Sequence, residues 1–346
     1  MKGKSGSQVR SLDVARLAGV SRSAVSRAYT PGAYISDETR ARVLHAAETL
    51  GYSPNAMARS LITRRTGIVG VVSTDLDNPF YAALLQKLGT ALQKAGLAPL
   101  VLFGDENSTD HHITQMMSYR VDALVMTNAT LSSRMAVRFA AQDKPIIAIN
   151  RLMAQDEITS ITCDNRSGMQ SVVDHLADLG CRRIAFVAGH PDSSSSRDRE
   201  DGFLRQMAAR GLSPAGIVTG HYTHDGGAAA ARQILGGDTL PDAIACANDM
   251  MAFAVMDVAR KEFGLRIPRQ VKVTGFDNSG LADWSSHALT SVDQNVDEMI
   301  ALAVEHIGAA VRLEPRAPHH IEVPARLVIR ASSVDQAQGG EGDVPC

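Results

Sequence analysis

From residue 67 onward, short apolar runs alternate with stretches of helical character, and this alternation limits the fold more than any other feature of the chain. Each run is six or seven residues long, which suits a strand buried on both faces of a sheet. Repeated strand–helix units form parallel sheets with helices on both sides. The runs are GIVGVV, APLVLF, DALVMT, PIIAIN, ITSITC, RIAFVAG, DAIACAN and VKVTGFD.

The runs fall into two clusters, 67–163 and 183–277, which predict two similar α/β lobes with a cleft between them. We expect each lobe to be a doubly wound parallel sheet. This region resembles the periplasmic sugar-binding proteins, and that resemblance implies three chain crossings between the lobes, which we place near 163–166, 290–294 and 322–325. The predicted core covers 67–332, with lobe 1 at about 67–163 and 293–323, lobe 2 at about 164–290 and 324–332, and a last strand near 326–331 in lobe 2.

Residues 12–29 predict two short helices joined at Gly19, and a third helix is expected at 37–50. Ser21 and Ser36 precede the second and third helices and can accept hydrogen bonds from first-turn amides. The pattern predicts an all-α helix-turn-helix head over 1–52. The apolar positions on its predicted inner side are Leu12, Val14, Ala15, Ala18, Val25, Ala28, Val43, Ala46, Ala47 and Leu50.

The second helix of the head carries polar side chains away from its apolar residues, as a helix in a DNA major groove requires. The candidate DNA-binding residues are Ser21, Arg22, Ser23, Ser26 and Arg27. Arg22 suits a guanine edge, which accepts two hydrogen bonds from one guanidinium. An ordinary helical domain is the alternative interpretation of the same spacing.

Basic residues are concentrated at the N-terminal end. Residues 1–66 carry eleven Lys and Arg against four Asp and Glu, an excess of seven positive charges. Since the whole chain has a formal net charge of −2, the remainder carries −9. This asymmetry indicates that contacts with phosphate are confined to the first 66 residues and that affinity for DNA falls as salt rises.

The composition, with 45% hydrophobic and 21% charged residues in 346, is that of a globular protein of more than one domain. No run of about 20 apolar residues is present, and the start MKGKSGSQVR lacks the apolar stretch of a secretion signal. We therefore expect a cytoplasmic protein without membrane contact. The four cysteines and the paired histidines lack metal-ligand spacing, so we expect reduced thiols, no metal and no cofactor.

Polar residues follow several of the apolar runs, at the strand ends where α/β sheets bind ligands. The candidates for the cleft are Asp77, Asn78, Phe80, Tyr81, Arg151, Asp164, Asn248, Asp277 and the chain's one tryptophan, Trp284. Carboxylates and amides beside aromatic faces suit a polyhydroxylated ligand. Some have structural alternatives: Asn78 and Asp249 can cap helices, Phe80 can be a packing residue, and Asp164 can hold the crossing together. For Asp164 and Asp249 both interpretations remain open.

Sugar-metabolising enzymes also use α/β lobes with carboxylates in clefts. The chain contains no G-x-x-x-x-G-K-S/T phosphate loop, no G-x-S-x-G and no H-E-x-x-H, and no G-x-G-x-x-G follows its first strand. We therefore expect a binding protein rather than an enzyme. A sugar-transport binding protein would share the predicted core, but it would need an export signal and no basic head.

Seven stretches resemble the lactose-repressor (LacI/GalR) family of bacterial transcriptional regulators. They are LDVARLAGVSRSAVSRAY, ISDETRARVLHAAETLGYSPNAMARSL, IVGVVSTDLDNPFYAALL, CDNRSG, REDGF, CANDMMA and VTGFDN. The resemblance implies a helix-turn-helix head, a hinge helix and linker at 53–66, and a periplasmic-binding-protein-like core. It also implies a homodimer on palindromic operator DNA, whose affinity is controlled by a small molecule between the lobes.

The same resemblance assigns roles to individual residues. In the head, Arg22 and Ser23 correspond to the variable base-contacting pair, and Arg27 to a backbone and base contact. In the core, Arg199 of REDGF corresponds to the arginine that holds the effector, and Tyr222 to an aromatic that covers it. The implied hinge residues in the minor groove are Asn55, Ala58 and Arg59, with Leu61 as the apolar wedge at the central base step.

For the effector we expect a sugar or sugar acid, with a nucleoside or purine as the alternative because Tyr222 and Trp284 could stack a base. We expect a repressor, although the residues do not distinguish it from an activator, or induction from corepression. The tail, 333–346, lacks the leucine heptads by which some relatives form tetramers, so a flexible tail and a homodimer are predicted.

Overall fold

The computed structural model describes residues 9–29, 32–53, 65–73, 76–104, 109–127, 133–142, 144–311, 314 and 317–335. Its chain divides into two compact units, 1–66 and 67–346. The predicted hinge contacts Asn55, Ala58, Arg59 and Leu61, and the tail beyond residue 335, lie outside the described residues. Within the described part, no helix has both the length and the apolar character needed to cross a membrane.

The head consists of the helices α1 (Ser11–Ala18), α2 (Arg22–Ala28) and α3 (Asp37–Leu50), which pack around a small apolar core. The predicted capping serines do cap, since Ser21 Oγ accepts from the Ala24 amide at 3.2 Å and Ser36 Oγ from the Thr39 amide at 3.3 Å. Leu12 was wrongly placed in this core and is 47% exposed. It precedes the buried Val14 by two residues, about 200° around the helix.

Two arginines of α3 hold the ends of the other two helices. Arg40 Nη1 donates to the Ala28 carbonyl at 2.9 Å, and Arg42 Nη2 donates to the carbonyls of Ala18 at 2.5 Å and Gly19 at 3.3 Å. Carbonyls in the last turn of a helix lack intrahelical partners, and basic side chains satisfy them well. Two of the basic residues that make the head cationic are therefore used inside it.

The core unit contains two sheets, each of six strands among the described residues. The first sheet has the order β2-β1-β3-β4-β5-β11, and the second has the order β7-β6-β8-β9-β10-β12. The strands are β1 (Ile68–Ser73), β2 (Ala98–Phe103), β3 (Ala123–Thr127), β4 (Ile146–Ile149), β5 (Ile158–Cys163), β6 (Ile184–Ala188), β7 (Gly216–Thr219), β8 (Ala243–Cys246), β9 (Lys272–Asp277), β10 (Thr290–Asp293), β11 (His320–Val323) and β12 (Arg326–Val328).

Helices cover the faces of both sheets, so the predicted pair of doubly wound lobes is confirmed. The helices are α4 (Pro79–Lys94), α5 (Thr109–Ser118), α6 (Ser133–Ala140), α7 (Asn165–Asp178), α8 (Ser194–Ala209), α9 (His224–Leu235), α10 (Asp249–Lys261) and α11 (Val296–Val311), with a 3₁₀ turn at Gly280–Asp283. Helix α4 shows how they form: Asn78 caps it, Pro79 opens it, and apolar residues at spacing four, beginning with Phe80 and Leu84, face the core.

Three crossings join the lobes, at residues 164, 294–295 and 324–325. Each follows the carboxyl end of a strand, so all three lie on the cleft side of the sheets. Strand β12 is antiparallel to β10, unlike the parallel strands that the apolar runs predicted. The third crossing is only two residues long, so the chain enters sheet 2 at the cleft edge and must run away from it.

We expect Arg42→Ala to destabilise the head by about 1–3 kcal/mol, because the Ala18 carbonyl is left without a partner. Hydrogen exchange of the head amides, measured in the full-length chain, reports this change. The matched control is Arg16→Ala, whose side chain is 74% exposed and makes only a 3.9 Å ion pair with Asp13. Wild-type protection in Arg42→Ala would contradict the capping role.

Candidate ligand cleft and nucleic-acid interface

Helix α2 turns one polar face to solvent. Arg22, Ser23 and Arg27 are exposed, whereas Ala24, Val25 and Ala28 on the other face are buried in the head. The exposed Ser26 lies on the same outer face. Ser21 is committed to capping, and its Oγ also shares a 2.8 Å hydrogen bond with Ser23 Oγ. Arg22 and Arg27 are therefore the long hydrogen-bond donors of the surface that we assign to DNA.

Tyr34 is a residue of this unit that the sequence analysis missed. Its side chain is 93% exposed, although the neighbouring Ile35 packs against the head core. Arg40 also reaches the Ala33 carbonyl, at 3.5 Å, while it holds the Ala28 carbonyl, so the loop before Tyr34 is tied to the end of α2. A tyrosine hydroxyl exposed to solvent is a group of the kind that contacts the DNA backbone. The signal in the sequence is an aromatic residue in an otherwise polar loop.

A cavity lies between the two lobes of the core, with about 310 Å³ of empty space including its solvent-open side. Every side chain that lines it is polar or a tyrosine. The lining residues are Asn78, Tyr81 and Asn150 from lobe 1, and Ser195, Arg199, Tyr222, Asn248 and Asp277 from lobe 2. The lobes also touch directly, since the Leu152 amide donates to Ser194 Oγ at 3.1 Å.

Arg199 is the central charge of the cavity and is 2% exposed. Its Nε donates to Asn165 Oδ1 at 2.8 Å, its Nη1 donates to the Ala247 carbonyl at 2.6 Å, and its guanidinium lies 3.8 Å from the Phe276 ring centroid. Gly202, one turn later on α8, explains the REDGF spacing: a Cβ there would collide with the backbone of Arg166, at 2.5 Å from its carbonyl oxygen. Only a glycine lets α8 approach α7 closely enough for Arg199 to reach Asn165.

Nη2 of Arg199 and Oδ1 of Asn150 are buried without a hydrogen-bond partner among the described residues. The two groups lie on opposite lobes and line the same cavity. One is a donor and the other an acceptor. A molecule that satisfies both would have to donate and accept hydrogen bonds.

Burial raises the pKa of Asp277 well above that of an ordinary aspartate, and nearby Asp249 raises it further, against the opposing effect of Arg199. The Arg199 Nη1 to Asp277 Oδ1 distance of 3.7 Å is too long for a hydrogen bond. Burial likewise raises the pKa of the Tyr81 hydroxyl, with Asp277 adding to the shift. Both groups therefore keep their protons to higher pH than the same side chains do when exposed.

Strained backbone surrounds the cavity. Asn150, Tyr222 and Asp277, each at or just beyond the end of a strand, have φ of 64°, 65° and 128°. Such conformations cost about 1–3 kcal/mol in residues other than glycine and are concentrated at functional sites. Gly189 leaves room for Tyr222, which lines the same cavity, because a Cβ at position 189 would collide with the Tyr222 ring.

The structure does not bring all the predicted residues to the cavity. Asp77 is exposed, Arg151 is half-buried outside the lining, and Phe80 packs edge-on against Tyr81 at 5.1 Å as part of the lobe core. Trp284 is 59% exposed at the end of the 3₁₀ turn. It is not among the residues that line the cavity. Asn150 and Ser195 line the cavity, although neither is among the residues that the sequence analysis selected.

Asp164 and Asp249, for which the sequence left both a ligand contact and a structural role open, accept hydrogen bonds from neighbouring groups of the protein. Asp164 Oδ1 accepts from the Ser167 amide at 2.9 Å and so caps α7 at the first crossing. Asp249 accepts from the Ser279 amide at 2.7 Å and from Ser291 Oγ at 2.5 Å, and it does not line the cavity. No group of three or more His, Cys, Asp or Glu in the described ranges could hold a metal ion. The three described cysteines, Cys163, Cys181 and Cys246, are buried free thiols.

The geometry agrees with comparisons to known proteins. The family model for bacterial regulatory proteins of the lacI family matches residues 12–55, and that for a periplasmic binding protein-like domain matches 173–333. The transcriptional regulator MalR of Streptomyces coelicolor is 32% identical, over 96% of this chain and 98% of its own. The chain belongs to the LacI family of bacterial regulatory proteins. It is a DNA-binding transcriptional regulator, as the resemblance implied.

Other relatives also match this LacI-family regulator over nearly its whole length. Catabolite control protein A of Priestia megaterium is 29% identical over 93% of the chain and 98% of its own. Among solved structures, the CelR–cellobiose complex is 27% identical with a TM-score of 0.71 over 94% of the chain and 100% of its own. The Lac repressor dimer bound to operator has a TM-score of 0.83 at 24% identity, over 95% and 100%, and so shows the shared fold.

Because Asp249 is buried, we expect the free energy of unfolding of this regulator to depend on pH through the ionisation of its carboxyl group. Burial raises its pKa from 3.8 to about 6 in the folded state, so Asp249 favours folding below pH 4 and this contribution is lost as pH rises to about 6. Asp249→Asn does not titrate. The free energy of unfolding of the wild type relative to the variant should fall by about 2–3 kcal/mol over this interval.

Urea unfolding of both proteins at pH 4, 5 and 6 measures the difference. Asp249 also helps to raise the pKa of Asp277, so removing its charge changes the ionisation of Asp277 as well. The difference between the two proteins includes this second effect. A difference that stays constant with pH would show that Asp249 does not titrate in this range.

Proposed function

We propose that this regulator is a homodimeric repressor that binds a palindromic operator, and that a neutral sugar held between the lobes sets its operator affinity. The outer face of α2 would contact bases in the major groove, and the segment with Asn55, Ala58, Arg59 and Leu61 would contact the minor groove. A protein of this kind works where bacterial DNA lies, in the cytoplasm.

The observation that carries the sugar proposal is the pair of unpartnered groups, Arg199 Nη2 and Asn150 Oδ1. Leaving each unsatisfied costs about 1–3 kcal/mol. A ligand with several hydroxyls can accept from the first and donate to the second, since a hydroxyl does both. The two lobes would then be held together through the ligand. The solved relative CelR binds cellobiose, which supports the same class.

A nucleoside or purine is the competing ligand class, and some relatives are named PurR, among them one from Photobacterium profundum. A flat base is held best between two aromatic faces. The cavity has one tyrosine on each lobe, Tyr81 and Tyr222, and its six other lining side chains are polar. A sugar acid would use Arg199 but leave Asn150 Oδ1 without a donor unless one of its hydroxyls reached it. The cavity chemistry therefore favours a neutral sugar.

The DNA part of the proposal is tested with Arg22→Ala. We expect binding to the operator duplex, selected by the wild type from a random pool, to weaken about 5–150-fold, because a base contact worth about 1–3 kcal/mol is lost. Binding to random-sequence duplex should weaken much less. Fluorescence anisotropy at two salt concentrations measures both affinities.

Arg16→Ala is the matched control for Arg22→Ala, since it removes the same charge from an exposed position on α1. It should weaken operator and random duplex by similar factors. Equal losses on both duplexes in Arg22→Ala would contradict base contact by that residue.

The effector part is tested with Arg199→Lys, which keeps the charge but cannot donate from Nε and Nη2 together. Thermal-shift and calorimetric titrations would use cellobiose, D-glucose, D-gluconate and adenosine. We expect cellobiose or D-glucose to bind the wild type, and Arg199→Lys to lose at least about tenfold in affinity as a hydrogen bond to a buried charged group disappears.

Arg197→Ala is the control for the same titrations. Arg197 is exposed two residues away, and its Nη1 donates only to the Pro191 carbonyl at 3.2 Å. It should bind like the wild type. Tighter binding of adenosine than of either sugar would favour the alternative class, and unaltered affinity in Arg199→Lys would remove that residue from the site.

A further inference from the structure

Two buried amide side chains stand between the cavity and the segments that cross from lobe to lobe. Asn165 is the first residue of α7, directly after the first crossing, and Gln294 lies in the second crossing, between β10 and α11. Asn165 is 3% exposed and Gln294 is fully buried. Neither residue lines the cavity.

Asn165 connects Arg199 to the first crossing. Its Oδ1 accepts from Arg199 Nε at 2.8 Å, and its Nδ2 donates to the Cys163 carbonyl at 3.1 Å, at the end of β5 in lobe 1. The amide therefore has one bond to a cavity charge of lobe 2 and one to the last residue of a lobe 1 strand. A change in lobe angle must rotate this short connection.

Gln294 connects Asp277, the other ionisable side chain of the cavity, to the second crossing. Its Nε2 donates to Asp277 Oδ1 at 2.6 Å. Asp277 ends β9 of lobe 2, while α11, which follows Gln294, packs on α4 and β5 of lobe 1. Each of the two charged groups in the cavity is thus held by an amide that belongs to a crossing.

The two amides meet at Cys163. The Cys163 Sγ lies 3.4 Å from Asn165 Oδ1 and 3.5 Å from Gln294 Oε1. A thiol carries one proton and can donate to only one of these oxygens at a time. The third crossing is attached as well, because the Asp164 amide donates to the Val323 carbonyl at 2.8 Å. The three crossings form one connected group of hydrogen bonds.

We propose that Asn165 and Gln294 are positioning residues that transmit occupancy of the cavity to the crossings. A sugar that bonds to Arg199 or Asp277 alters the position of groups whose other hydrogen bonds end on the crossings. The altered bonds favour one lobe angle over another, and a ligand shifts such an equilibrium only through this difference. The inference rests on the proposed function and adds the residues that carry the coupling.

The experiment measures coupling separately from binding, in Asn165→Ala and Gln294→Met. The probe is whichever of cellobiose, D-glucose, D-gluconate and adenosine binds the wild type most tightly. Operator affinity is measured without the probe and at ten times each variant's own dissociation constant. Coupling of about 1–3 kcal/mol corresponds to a 5–150-fold change in the wild type. Both variants should bind the probe within about tenfold of the wild type, yet change operator affinity less than about threefold.

Two further variants complete the test. Asn165→Asp keeps the oxygen that accepts from Arg199 Nε but lacks the Nδ2 that donates to the Cys163 carbonyl, so it should bind the probe and still fail to couple, which a role in holding Arg199 alone would not predict. Gln206→Ala removes an amide of α8 that donates to Asp174 at 2.6 Å, away from the cavity, and should couple like the wild type.

Wild-type coupling in both Asn165→Ala and Gln294→Met would overturn the inference while leaving the proposed function intact. So would complete loss of probe binding in either variant, since it would place that amide among the binding groups. If none of the four probes bound the wild type, the proposed function would fail and the inference with it.

Discussion

The core is organised around a guanidinium that cannot lose its proton and is almost fully removed from water. Burying an uncompensated charge is prohibitively costly, so the surrounding chain has to supply partners. It does so with a side-chain amide, a backbone carbonyl, a carboxyl and an aromatic face, which belong to Asn165, Ala247, Asp277 and Phe276. These partners come from a crossing and two strand ends, so one residue links the cavity to the scaffold.

The direction of the strands explains why such an arrangement arises in this fold. In both sheets the parallel strands run toward the cleft, so their carboxyl ends, with the polar residues that follow them, face one another. The three crossings leave from the same ends. Ligand groups and hinge segments therefore occupy one small volume, and hydrogen bonds between them are a consequence of topology. The antiparallel β12 follows the same rule, since it starts at the cleft.

Local patterns in the sequence were sufficient to predict most of the fold. Apolar runs gave the strands, and Ser21, Ser36 and Asn78 marked helix starts that the structure contains. The predictions that failed concerned side chains whose position depends on contacts distant in sequence. Arg42, one of the eleven basic residues whose excess charge indicated phosphate contacts, bonds to a carbonyl 24 residues away. Trp284, a candidate for the cleft, does not line the cavity.

The same distinction between local pattern and distant contact applies to the candidate site. Residues at the end of a strand or shortly after it, such as Asn78, Asn248 and Asp277, reach the cavity because strand direction places them there. Residues that depend on helix packing, such as Ser195, could not be chosen from spacing. Asn165 lies in the CDNRSG stretch that carries the family resemblance, but nothing in the sequence distinguished its buried amide, or that of Gln294, from the exposed polar residues around it.

The chemistry of the crossings also bears on how easily the lobes can change their angle. Asn165, Gln294 and the Cys163 thiol are neutral groups, whose hydrogen bonds each contribute only about 0.5–1.5 kcal/mol net. Ion pairs at the same positions would resist rearrangement more strongly once buried, because breaking one leaves an uncompensated charge. Exchanging a few neutral bonds involves energies close to the coupling of about 1–3 kcal/mol that links two sites in a regulator. The ionisable side chains, Arg199 and Asp277, lie at the cavity, where a ligand can reach them, and the neutral hydrogen bonds lie at the crossings, where the motion has to occur.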